Sequence, residues 1–426
     1  MNQPRLELDA TAPVGRIGDF RVMSLVGFAH ATSHFFHLVI PPLFPWLMPE
    51  FGLSFTRAGT LMTAFFVVSG VGQALAGFAV DRYGAQRVLR TGLGLLGLSA
   101  LTLAVARGYP SLVAAAVLAG AGNSVFHPAD FTVLNRKVSP GRLGHAFSAH
   151  GLAGNLGWAA APVFMTGIAT AAGWRTAAWA AAAVGFSSLG LVVALRRNLD
   201  APALAHGPAA GDGAPRVSPF AFLRVSAVWM CFFFFLTSII GLGALQNFGP
   251  SVFENFYGLV RTVAASALTF YLLGGAAGIL AGGFLATRFE AHERVVAGLL
   301  MVAAALAVLL ATGTVPPLLV VPLMALVGFC TGSATPSRDL LVRRAAMDRF
   351  GQRSFGRIYG FVYSGLDVGF AVAPILFGRL MDRGMFSAVL GGVALFQTLA
   401  VLAALGVGHA RAGTAAVPAA PPPSRA

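Results

Sequence analysis

The sequence predicts an all-α integral membrane protein, twelve transmembrane helices in two pseudo-symmetric six-helix bundles. Three observations predict it. The chain of 426 residues is 57% hydrophobic and only 10% charged, too little polar surface to cover a soluble fold, so lipid is the solvent that this composition fits. Twelve apolar runs reach the ~18 residues a membrane-spanning helix needs; they fall at about 21–48, 56–80, 88–107, 110–137, 142–172, 174–196, 221–249, 261–287, 294–313, 315–343, 354–381 and 385–409. Finally, the stretch from Gly120 to Pro162 returns half a chain later, from Gly328 to Pro374. Gly120 falls on Gly328, Pro128 on Pro336, Gly144 on Gly356, Asn155 on Asp367, Gly157 on Gly369 and Pro162 on Pro374. Each copy reads as an apolar helix, a basic loop and a Gly-rich apolar helix, the mark of a duplicated membrane bundle.

Taken in order, residues 1–20 are polar, lack the apolar core of a cleavable signal, and form an N-terminal tail on the cytoplasmic side. Residues 21–196 make the first bundle. Residues 197–219, rich in Ala, Gly, Pro and charge (NLDAPALAHGPAAGDGAPR), read as a flexible cytoplasmic linker. Residues 220–410 make the second bundle, and the Ala/Pro-rich 411–426 read as a disordered tail. Only helices satisfy the backbone over twelve such runs. Basic residues crowd one set of loops (Arg82, Arg87, Arg90, Arg136, Lys137, Arg142, Arg196, Arg197, Arg343, Arg344) and are sparse on the other (Arg57, Arg107, Arg175, Arg261, Arg379, Arg383). That asymmetry predicts a multi-pass protein of the bacterial inner membrane with both termini cytoplasmic.

The net charge of +14 is then topogenic. A nucleic-acid surface would need its cations clustered on one folded face with aromatics between them. Cys231 and Cys330 both fall inside apolar spans, so no disulfide framework is implied. No phosphate-cradling loop is present, which disfavours ATP-driven transport. No cofactor is expected, and the expected state is a monomer.

Between the second and third spans runs GFAVDRYGAQR, carrying Gly77, Asp81, Arg82, Gly84 and Arg87. An acid at the end of a span can cap or pair with a neighbouring helix end, and losing that contact on movement makes a two-state latch. A topogenic basic loop with an incidental acid is the plainer alternative. The spacing resembles the loop signature of the major facilitator superfamily, and the run from Gly120 to Pro128 is similar to the fourth span of its fosmidomycin-resistance branch. The resemblance implies alternating access around one central site, lined by the first, fourth, seventh and tenth spans. It also implies a transporter, not an enzyme.

Ionisable residues inside spans are costly and usually functional. Tyr359, Tyr363 and Asp367 repeat at i, i+4, i+8 and share one stripe of the eleventh span. Asp367 could bind and release a proton, or only hydrogen-bond a neighbouring helix, and the tyrosines could be packing residues. Arg338 and Asp339 follow Pro336 in the tenth span, and Arg338 is the repeat mate of Asp130. With both on path-lining spans, Asp130 and Arg338 could close an inner gate across the halves. Alternatively Arg338 could be a fork for an anionic solute, or merely neutralise its neighbour Asp339. His30, His34 and His37 lie on one face of the first span, with His127 as a companion on the fourth. A proton relay, a solute contact, a transition-metal site and plain interhelical hydrogen bonds all stay open. Pro41, Pro42 and Pro45 are expected to break the first span, and the Gln246–Asn247 run before Pro250 the seventh, exposing backbone to a cavity. Gly151, Gly154 and Gly157 mark a close-packing face of the fifth span.

Together these readings predict a secondary transporter of a small organic solute, with an anion as the case that suits Arg338. Proton coupling would run through Asp367, Asp130 and His127. The solute cavity would be lined by His30, His34, His37, Arg338, Gln246, Asn247, Tyr359 and Tyr363, and no metal site is assigned. Efflux is the direction the branch implies. Uptake of a carboxylate or a metal chelate is the alternative, and a membrane sensor or enzyme that moves nothing is the alternative of another class.

Overall fold

The computed structural model describes residues 16–139, 142–199, 221–350 and 355–415. The start of the N-terminal tail, nearly all of the expected linker and residues 416–426 lie outside the described residues. Among those described there is no strand. Fourteen helices make twelve spans long and apolar enough to cross a membrane. They are α1 (Arg16–His37), α2 (Phe44–Phe51), α3 (Phe55–Tyr83), α4 (Ala85–Ala104), α5 (Tyr109–Asn123), α6 (Phe126–Lys137), α7 (Leu143–Ala172) and α8 (Trp174–Ala194) in the first half. The second half holds α9 (Ser226–Tyr257), α10 (Arg261–Arg288), α11 (His292–Ala311), α12 (Pro317–Phe350), α13 (Phe355–Asp382) and α14 (Phe386–Ala415). The last helix thus runs on to Ala415, into the stretch read from sequence as a disordered tail.

Two spans are broken, and only one of the breaks was expected. The first span stops at His37, passes through a short 3-10 turn at Pro41–Leu43 and resumes as α2, because Pro41 and Pro42 remove two successive donors from the ladder. The fourth span, expected to be continuous, breaks between Asn123 and Phe126. Pro128 explains it: its ring clashes with the carbonyl four residues earlier, that of Ser124, and it has no N–H to offer. Against expectation, α9 runs unbroken through Pro250. At Pro250 the one lost ladder bond is absorbed, as it is not at Pro128 or at the paired prolines of the first span. The repeat mate of Pro128, Pro336, also lies inside a continuous helix.

The halves meet along two seams, α3 against α13 and α7 against α10. Near the face opposite the chain ends, the α3–α13 seam is tied by Asp382 at the end of α13. Its carboxylate accepts from Phe55 N (2.5 Å), Thr56 N (3.1 Å) and Thr56 Oγ1 (2.5 Å). Ser54 accepts from Arg57 N, and Ala58 N begins the intrahelical ladder on Ser54 O. Three of the four orphan donors at the start of α3, those of Phe55, Thr56 and Arg57, are therefore satisfied, two of them from the other half. On the same face Arg261 of the second half lies 4.6 Å over the ring of Trp46 in the first. Deeper in, Thr63 Oγ1 donates to Ala371 O (2.8 Å) along one seam and Thr269 Oγ1 to Ala159 O (2.8 Å) along the other.

Inside the second half, α10 and α12 touch backbone to backbone. A Cβ at Gly274, Gly278 or Gly282 would run into the carbonyl oxygens of Ala325, Phe329 or Ser333. One at Gly328 or Gly332 would meet those of Tyr271 or Gly275. Glycines four apart on both partners make this approach possible.

Candidate functional site

The histidines of the first span meet those of the fourth and fifth. The face of α1 carries His30, His34 and His37 toward α6 and α7, and the break before α6 aims His127 and Asp130 back at α1. Asp130 is fully buried. Its Oδ2 lies 3.1 Å from His150 Nε2 as a hydrogen bond and 3.2 Å from His30 Nδ1, the latter without hydrogen-bond alignment. The rings of His30 and His150 stack at 3.5 Å, His30 and His34 lie 4.3 Å apart, and His34 stacks on Trp158 at 4.3 Å. Gly154 makes room for this: a Cβ there would fall 2.7 Å from His34 Nδ1 and 3.0 Å from His30 Nε2. At Gly157 a Cβ would strike the carbonyl of Ala31, so α1 and α7 pack without a side chain between them.

A polar network fixes the cluster's far edge. Asn123 Oδ1 accepts from Ser33 Oγ (2.5 Å) and pairs with His37 Nε2 (2.8 Å), while its Nδ2 donates to Ser69 Oγ (2.7 Å). Gln73 Oε1 pairs with His127 Nδ1 at 2.9 Å. An amide oxygen can only accept, so His127 Nδ1 and His37 Nε2 both donate. Ser69 and Gln73 stand on α3, the same helix whose Gly70 meets Asp367 across the seam, where a Cβ on Gly70 would lie 3.1 Å from Asp367 Cβ. One helix thus touches both the cluster and the seam carboxylate.

The sequence brought His30, His34, His37, His127 and Asp130 to notice, and the structure joins them. It also adds His150, which sequence reasoning missed. Asp130 does not face Arg338, as the gate reading supposed. Breaking the fourth span turns Asp130 into its own half, whereas α12 is unbroken and leaves Arg338 elsewhere. Arg338 pairs with Asp339 (2.9 Å) and lies 4.7 Å over the Phe235 ring, and Tyr363 OH donates to Asp339 Oδ1 (3.3 Å). Asp367 makes no hydrogen bond or ion pair among the described residues. Gln246 and Asn247 are buried in α9 with Gln246 Nε2 and Asn247 Oδ1 lacking a partner, while Asn247 Nδ2 donates to Gly243 O (2.7 Å). Phe370 lies beside Gly243 of α9 and also faces the cluster, stacked on Phe66 at 4.5 Å, with ring centres 6.2 Å from Trp158 and 6.5 Å from His37.

In the loop after the second span, Gly84 sits at φ +84°, a left-handed turn that suits glycine. Gly77 lies inside α3, Arg82 and Arg87 are exposed, and the Arg82 guanidinium stands 5.4 Å over Tyr83. The side chains of Asp81 and Tyr359 lie outside the described residues.

The profile of the Major Facilitator Superfamily matches residues 24–374. The chain is 26% identical over 395 residues to the uncharacterized MFS-type transporter YfnC of Bacillus subtilis, covering 91% of this chain and 92% of that one. It is 29% identical over 354 residues to the 3-(3-hydroxy-phenyl)propionate transporter of Escherichia coli, covering 78% and 80%. To the fosmidomycin resistance protein of Escherichia coli it is 29% identical over 160 residues, covering 38% and 39%. Among solved structures it resembles a bacterial homolog of the human lysosomal transporter Spinster in an inward-facing, occupied conformation, with TM-score 0.69, 13% identity, and 92% and 97% covered. A point mutant of the nucleoside transporter NupG matches with TM-score 0.69, 14% identity, and 91% and 98% covered. Twelve helical spans in two halves, joined at two seams and carrying polar groups in their depths, agree with these likenesses: the chain belongs to the Major Facilitator Superfamily and is a multi-pass membrane transporter, not an enzyme.

Proposed function

We propose that the protein is a proton-coupled secondary transporter of a small organic solute, working by alternating access, with Asp367 as the coupling carboxylate. One observation carries this reading. Asp367 sits against Gly70 on the seam between the halves, without a hydrogen bond or ion pair among the described residues. A neutral acid suits a dry closed seam and a carboxylate suits a wetted open one, so its protonation and the seam's state are tied. Asp130 and His127, the other expected proton carriers, bond within the first half, to His150 and to Gln73.

The solute would lie between the halves, against the Phe370–Trp158 aromatic wall. Gln246 Nε2 and Asn247 Oδ1, without partners among the described residues, would serve one side of it, and the half-buried faces of His34 and His127 the other, because buried polar groups without partners are poised to bond a ligand. Export is the favoured direction, from the likeness to the fosmidomycin resistance protein. The basic loops argue for cytoplasmic termini in a bacterial inner membrane. The test is proteoliposomes carrying an internal pH dye, challenged with fosmidomycin and with 3-(3-hydroxyphenyl)propionate. Wild type should move protons with a transported solute. Asp367→Asn should bind that solute but move no protons, and normal proton exchange in Asp367→Asn would sink the assignment.

The likeness to the 3-(3-hydroxy-phenyl)propionate transporter, which covers more of the chain, favours a second reading: uptake of a carboxylate. The anion would compete with Asp339 for the Arg338 guanidinium. Arg338→Ala would then abolish propionate transport, and unimpaired transport would exclude that role.

A further inference from the structure

We propose that His30, His150 and Asp130 bind one divalent transition-metal cation inside the first half, with water as the fourth ligand. This site goes beyond the solute pathway and does not depend on it. The donor atoms of His30, Asp130 and His150 lie within 4.8 Å of one another. Two of the edges, 3.1 Å and 3.2 Å, already approach the ~3.3 Å edge of a tetrahedron with metal–ligand bonds of about 2.0–2.1 Å.

The bonding inventory argues against plain hydrogen bonding as the purpose of these side chains. His30 Nδ1, His34 Nδ1 and Asp130 Oδ1 are buried without hydrogen-bond partners, although buried polar atoms are nearly always satisfied. Asp130 is 0% exposed and His30 2%. A cation would engage nitrogen lone pairs that no donor now reaches. Imidazole with one carboxylate suits zinc, cobalt and nickel over magnesium or calcium. His34 and His127, only half-buried, offer the way in.

The test uses full-length protein in detergent, with its affinity tag removed and EDTA-stripped, titrated calorimetrically with Zn2+ and optically with Co2+. The expected result is one ion per chain, a dissociation constant on the order of micromolar or tighter, and the intense visible bands of tetrahedral Co2+. His30→Ala/His150→Ala should abolish binding. His145→Ala, an exposed histidine outside the cluster, should bind as wild type does. Absence of saturable Zn2+ binding in the wild type overturns the proposal without any variant. So does an octahedral Co2+ spectrum, or a folded double variant that binds as tightly as wild type.

Discussion

The carboxylate of Asp382 offers a direct handle on the conformational equilibrium, because it closes one face of the molecule by capping a helix that belongs to the other half. In Asp382→Ala the N–H groups of Phe55 and Thr56 and the Thr56 hydroxyl lose their acceptor. Water can replace it, since Asp382 is exposed, so the cost is that of an exposed charged helix cap, about 1–2 kcal/mol. That cost falls only on the state closed at this face, and the ratio of open to closed molecules should rise by roughly 5- to 30-fold. The assay is a pulsed electron–electron distance measurement between nitroxides at Val105 and Val260. Both are exposed on this face, 58% and 67%, one in each half. The buried cysteines Cys231 and Cys330 would first be changed to alanine. The longer-distance population should grow in Asp382→Ala and grow less in Asp382→Asn, which retains one acceptor oxygen. A ratio within twofold of the parent would refute the idea that this cap holds the face shut.

Other outcomes follow from packing and bonding already described. Gly157→Ala drives a methyl group into the Ala31 carbonyl and should lower stability by about 1–3 kcal/mol, read as a drop in Tm; Gly151→Ala, with nothing within 4 Å of its added Cβ, should not. Asn123→Leu strips Ser33, His37 and Ser69 of their partner at once and should cost about 1–3 kcal/mol or more in the same assay; an unchanged Tm would mean that this network contributes nothing net. Thr269→Val removes the bond to the Ala159 carbonyl across the second seam. It should shift the distance distribution in the same direction as Asp382→Ala, by about 1 kcal/mol or less.

Hydropathy made the twelve spans legible because lipid demands long apolar helices whatever their packing. Finer geometry was less legible. Pro128 and Pro250 are equally visible in the sequence, yet Pro128 breaks its span and Pro250 does not. The outcome turns on whether neighbouring helices absorb the lost bond, which is a tertiary property. The i, i+4, i+7 histidines of α1 announced a face, but not what it faces. His150 has no histidine companion at helical spacing along its own helix, so nothing marked it until α7 was packed on α1. The pairing of Asp130 with Arg338 failed because repeat alignment equates positions along the chain and not directions in space.

The glycine contact between α10 and α12 has a mechanical consequence. Two helices in contact through bare backbone have no layer of side chains to slide or repack, so they can tilt only as one stiff beam. One edge of that beam is fastened to the first half through Thr269, and its other member carries Arg338 and Asp339. Any hinge at the α7–α10 seam is therefore geared, without slack, to the one described arginine deep in the second half's tenth span.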